Sequence, residues 1–135
     1  MTLEQALFAW ANAQTEVAAL IGEPARLRFF KLTVPQRAHM PSAVQQRTGT
    51  QRQQLQCRVD RTVQATIQID HYGKSQQGAG ELGDVFRTAL HGETFPVMMG
   101  SVKVKDAFCL NEFDLDDPEP GLYRRSQSWR FWYVE

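Results

Sequence analysis

The chain has little cysteine, no excess of either charge and no long apolar run, and each shortage removes a class of protein. Two cysteines, Cys57 and Cys109, in 135 residues are too few for a disulfide framework or a zinc cluster. They are expected as reduced, partly buried thiols of a protein folded in the cytoplasm. Lys+Arg and Asp+Glu both number 15, so the formal net charge is zero and whole-molecule attraction to nucleic acid or an anionic membrane has no support. No stretch approaches the ~18 consecutive apolar residues of a membrane span. The N-terminus lacks the basic region and apolar run of a signal peptide. What is present is an ordinary hydrophobic fraction of 42%, which argues against global disorder. A single domain, residues 1–135, accounts for the length.

Thr2-Leu3-Glu4-Gln5 reads as a capping box, after which Leu3, Ala6, Leu7, Trp10, Val17, Leu20 and Ile21 recur at helical spacing. Gly22 and Pro24 stop that helix. A short strand is expected over 26–32, then a loop bracketed by Pro35 and Pro41. Residues 43–54 are polar, with Thr48-Gly49-Thr50 expected as a hairpin tip. In the long strand that follows, Val59, Val63, Ala65, Ile67 and Ile69 alternate with polar residues. That period of two indicates one dry and one wet or partner-facing side. A second helix over 76–90 carries Leu82, Val85, Phe86, Ala89 and Leu90 as its buried stripe. Strands over 102–115 and 122–134, joined through Pro118, Pro120 and Gly121, complete the chain. The expected fold is α+β, an antiparallel β-sheet with two α-helices packed on one face.

Motifs that carry chemistry fail on inspection. Gly78-Ala79-Gly80-Glu81-Leu82-Gly83 fits G-x-G-x-x-G, the spacing of a dinucleotide turn. Yet the preceding strand is polar on alternate positions, five residues separate it from Gly78, and Glu81 sets a negative charge beside any phosphate. Asp70-His71-Tyr72 would point alternately to opposite sides of a strand, so the three cannot act on one atom. His71, at the end of the core-facing set, is expected to be satisfied by a backbone carbonyl. His39, His71, His91, Cys57 and Cys109 lack metal-ligand spacing, and no serine sits in a nucleophile elbow. No cofactor, metal or catalytic site is expected, and the chain does not read as an enzyme.

Charge is segregated although it sums to zero. Arg47, Arg52, Arg58 and Arg61 lie in the glutamine-rich hairpin region, and Glu112, Asp114, Asp116, Asp117 and Glu119 form an acidic run. These are either two solvated loops or complementary patches by which one copy meets the next. The arginines are alternatively placed to meet the phosphates of DNA. In the last strand Trp129, Phe131 and Tyr133 share one side, which leaves Trp132 on the other as core or as interface.

The chain resembles the tail terminator (tail completion) and similar neck proteins of long-tailed phages. The resemblance rests on the N-terminal helix ending in Leu20-Ile21-Gly22, the Gln- and Arg-rich hairpin, and the strand from Val63 through His71-Tyr72-Gly73. It rests also on the helix closing in Ala89-Leu90-His91-Gly92 and the final Trp129-Arg130-Phe131-Trp132-Tyr133. The resemblance implies a structural virion protein forming a ring, commonly a hexamer, that caps the tail tube at its head-proximal end and joins the head connector. Its implied partners are other copies of itself, the tail tube protein and the connector, with non-specific contact to genomic DNA in the lumen and none to membrane. The loop over 34–42 departs from the family pattern. The competing class is a small nucleic-acid or nucleotide-binding module using the arginine hairpin or the glycine-rich helix entrance.

Overall fold

The computed structural model describes residues 1–22, 27–33, 39–55, 58–116 and 122–135, with backbone alone for 53–55, 58–60 and 116. The capping box forms as the sequence indicates: Thr2 Oγ1 accepts from the Gln5 N–H at 3.2 Å and the Thr2 N–H donates to Gln5 Oε1 at 2.8 Å. It opens α1 (Leu3–Ala13). The single N-terminal helix predicted from its apolar stripe is two helices, because Gln14 is extended (φ −84°, ψ 113°) and α2 (Thr15–Ile21) starts after it. Asn12 and Thr15, on either side of the break, are weak helix formers. The break lets α2 turn onto the third helix while Val17 and Ile21 stay buried.

Among the described residues six strands follow: β1 (Phe29–Lys31), β2 (Ser42–Leu55), β3 (Arg58–Gly73), then, after α3 (Gln76–His91), β4 (Val97–Met99), β5 (Val102–Asp116) and β6 (Tyr123–Val134). Their order in the sheet is β1-β2-β3-β6-β5-β4. Two expectations are corrected. The sheet is mixed, since β1 runs parallel to β2 while the other neighbours are antiparallel. The Thr48-Gly49-Thr50 tip is instead the interior of β2, where the register slips between Arg47 and Gly49; the strands continue to the pair Leu55 and Arg58. A glycine inside a strand marks a bulge as readily as a turn. The described residues thus hold three helices rather than two, in the expected α+β class.

Alternation along β3 and β6 decides which side is covered. Val63, Ala65, Ile67 and Ile69 of β3 and Trp129, Phe131 and Tyr133 of β6 are buried, and they pair across the strands. Over them lie Leu3, Leu7 and Trp10 of α1 and Leu82, Phe86 and Leu90 of α3. Phe86 is the hub: Phe29 meets it edge-on at 5.3 Å, and the rings of Trp10 and His71 lie 6.1 and 4.8 Å away. Burying such a ring contributes roughly 1.5–3 kcal/mol. The other side of the sheet carries no helix among the described residues.

Candidate functional site

Two polar residues of β6 break the apolar side, and they tie α3 to the sheet. Gln127, wholly buried, donates from Nε2 to the Gly83 carbonyl (2.9 Å) and to Glu112 (3.0 Å). Its Oε1 faces His71 Nε2 (2.8 Å) and accepts from the Trp129 indole (3.2 Å). Arg125 donates to Asp114 (2.8 Å), to Asp84 (3.0 Å) and to the Gly80 carbonyl (3.1 Å). These approaches need glycine. A Cβ on Gly80 would lie 2.9 Å from the Arg125 guanidinium, and one on Gly83 would lie 2.8 Å from Arg125 Cδ. The G-x-G-x-x-G spacing is therefore a notch inside α3, not a phosphate turn before it; the Gly78 N–H is already taken by Ser75 Oγ at 3.0 Å. His71 is held by the Gln127 side chain rather than by the backbone carbonyl the sequence suggested.

The charged candidates fall into two groups. Arg47 is engaged within the chain: it makes a bidentate pair with Glu4 of α1 (2.7 and 3.1 Å) and donates to Tyr133 Oη at 3.2 Å. Burial acts to raise the Glu4 carboxyl, but the Arg47 hydrogen bond, a backbone hydrogen bond and nearby positive charge outweigh it and hold the group below its ordinary value. Arg52 forks onto exposed Glu135 (2.7 and 3.0 Å), and Arg61 donates to the Glu135 carbonyl at 3.1 Å. Asp114 belongs to Arg125, whose hydrogen bond keeps the carboxyl below its usual range. The side chains of Arg58 and Asp116, and all of Asp117, lie outside the described residues.

Register fixes where these groups stand. Arg52 sits beside Val63 of β3, whereas Asp114 pairs with Arg125, opposite His71. Eight residues of strand at ~3.3 Å each separate the two levels, about 26 Å. They also flank opposite sides of the β3–β6 centre. Arg52 and Asp114 therefore cannot meet within one chain.

Two long edges remain. β1 covers β2 only at Ala43–Gln45, and β4 covers β5 only at Val102–Val104. Beyond these, no described strand pairs with the outer side of β2 from Gln46 onward or of β5 from Lys105 onward. The uncovered face of the sheet carries Gln51, Gln64, Thr66, Gln68 and Ser128 at its centre, with half-buried Trp132 between Gln64 and Asp106. Along β5 it exposes Phe108, Leu110, Phe113 and Leu115. Sequence reasoning placed Trp132 there but passed over Arg130, which lies between Phe108 and Thr66 on the same face. Its alternation with Trp129 and Phe131 was the available signal. Shallow grooves of ≈ 750 Å³ beside α3 and ≈ 520 Å³ beside Glu4 and Arg47 complete the surface. Among the described residues no group of His, Cys, Asp and Glu is placed to hold a metal ion, and no helix is long and apolar enough to cross a membrane.

The chain belongs to the family described as Tail completion protein gp17, whose model matches residues 5–134. It is accordingly a bacteriophage tail structural protein and a virion component. Among solved structures it is similar to a chain of the virion of a native gene transfer agent (GTA) particle, with a TM-score of 0.71 and 12% identity over 98% of this chain and 95% of that one. At that identity the likeness is one of fold. No curated protein matches the chain.

Proposed function

We propose that the chain completes a phage tail as a closed ring, in which the free edge of β5 in one copy lies against the free edge of β2 in the next. The observation that carries this reading is the match of the two free edges in length and direction. The β2 edge runs over 46–55 and the β5 edge over 105–116. β2, β3, β6 and β5 alternate in direction, so the seam between neighbouring copies is antiparallel. Bringing the two edges into full overlap shifts one copy by about five or six residues, roughly 18 Å along the strands. That shift sets Glu112–Asp116 of one copy beside Arg47–Arg52 of its neighbour, and strand stagger of this kind accompanies sheet closure. A head-to-tail contact that closes on itself yields a ring rather than a filament.

The ring, hexameric as in the family pattern, caps the tail tube and meets the head connector at the head-proximal end. Light scattering on the purified protein, alone and with tail tube protein, tests this. A ring-sized species is expected in at least one condition, and a strict monomer in both refutes it. Arg52→Glu and Asp116→Lys should each weaken assembly. Each rim ion pair contributes only ~0–1 kcal/mol, but the contact repeats at every seam.

A further inference from the structure

The large apolar side chains that the sheet leaves exposed stand at its two edges: Leu32 just past β1, and Met98, Phe108, Leu110, Phe113 and Leu115 on β4 and β5. Leu32 is the least expected of them. It is 60% exposed, and its φ of 73° lies in the left-handed region that a bulky side chain avoids and that glycine or asparagine would fill at less cost. Two hydrogen bonds hold it there. The Leu32 N–H donates to the Gln45 carbonyl at 3.0 Å, and the Thr33 N–H donates to the Lys31 carbonyl at 3.0 Å, closing a tight three-residue turn. The turn ends β1 against β2, so Leu32 stands beside Gln46, where the free outer side of β2 begins. Strain and exposure both cost stability in a single copy, which points to a contact made between copies.

We infer that Leu32 is the stop that fixes the register between neighbouring copies, its side chain lying against the end of the adjacent copy's β5 at Leu115. This contact rests on the ring reading and names the residue that sets its seam. β5 of one copy and β1 of the next lie end to end on the outer side of the same β2, because β1 occupies that side as far as Gln45 and β5 can pair only beyond it. Sliding the copies toward greater overlap drives the end of β5 into Leu32. It also drives the Val97 end of β4, which pairs with Val104, into the Leu55 end of the neighbour's β2. Sliding them apart loses ladder hydrogen bonds, and a slip of one residue exchanges the faces of β5. The two short strands thus leave one register at which the overlap is longest. Leu115, 37% exposed, is the last apolar residue of β5 and reaches Leu32 in that register.

The test is cross-linking of Leu32→Cys with Leu115→Cys by a short bismaleimide, in protein whose Cys57 and Cys109 are replaced by serine, alone and with tail tube protein. Within one chain the two positions lie four strand spacings apart, about 19 Å, so a short linker joins them only between copies. A ladder of multimers on a denaturing gel is expected. Leu32→Cys with Phe108→Cys, about 20 Å further along β5, should give none. Leu32→Gly keeps the left-handed turn without its strain, so its melting temperature should equal or exceed the parent's. The concentration for half-assembly, followed by light scattering, should rise about tenfold in that variant. Rings that form without a ladder through positions 32 and 115, a Phe108→Cys pair that cross-links as well, or a Leu32→Gly variant that assembles like the parent each overturn the inference and leave the ring standing. A strict monomer in both conditions, with no ladder, removes the ring reading and the stop together.

Discussion

Acid should destabilise this protein through one buried histidine. His71 is wholly buried against Phe86. Gln127 is fixed by donating its amide to Gly83 and Glu112, so its oxygen accepts and His71 Nε2 carries the proton. His71 Nδ1 is left buried without a partner, and a proton added there finds no acceptor. Burial lowers the imidazole from 6.5 to about 4, against smaller opposing effects of the Gln127 hydrogen bond and of Asp70 and Glu112, with Arg125 adding to the fall. A base depressed on folding binds fewer protons in the native state. Its contribution is therefore intact above pH 6.5 and lost as pH falls from 6.5 toward 4.

At ~1.36 kcal/mol per pH unit the full loss is about 3 kcal/mol, of which about 2 kcal/mol is gone by pH 5. For a chain of this size that is a fall in Tm of roughly 6–10 °C between pH 7.5 and 5. His71→Phe keeps a ring against Phe86 and cannot titrate. Its absolute stability will drop, but calorimetry should show its Tm nearly flat between those two pH values. Glu4 and Asp114 are held low and titrate below this window in both proteins. A His71→Phe variant that loses as many degrees as the parent would refute the reasoning.

Other outcomes follow from contacts already described. Gly83→Val drives a branched side chain into Arg125 and Gln127, and urea denaturation should show a loss of roughly 1–3 kcal/mol, mostly in midpoint rather than slope. Phe86→Ala empties the aromatic hub and should cost about 3–5 kcal/mol by the same assay. Glu4→Ala strands the half-buried Arg47 guanidinium and should cost about 1–3 kcal/mol at pH 7, with the gap to the parent closing as acid protonates the parent's Glu4 below the ordinary carboxylate range. Thr2→Ala removes the cap of α1 and should cost ~0.5–2 kcal/mol.

Much of the fold was legible because local rules and tertiary packing agree. The capping box at Thr2 and Gln5, the alternation of Val63 through Ile69 and the stripe of α3 each follow a periodicity that burial then uses. The misreadings fall where one residue has two local meanings. Gly49 reads as a turn and is a bulge, and Gln14 lies between Trp10 and Val17 within an unbroken helical period while its backbone leaves the helix. The glycine motif was correctly set aside as a nucleotide site, but its purpose was illegible. It lies in contacts with Arg125 and Gln127, more than forty residues away in sequence.

By itself the sequence determined the α+β class, the dry side of β3 and the presence of separate basic and acidic segments, since composition and period act over a few residues. Only the tertiary structure decided which charges are spent and which are left. Arg47 and Arg130 look alike in sequence; register sends one under α1 to Glu4 and the other to the open face, where no carboxylate among the described residues pairs with it. A one-residue change of register exchanges the faces of a strand, and the partner across the sheet is fixed by hydrogen bonding between distant segments, so no local pattern carries that information.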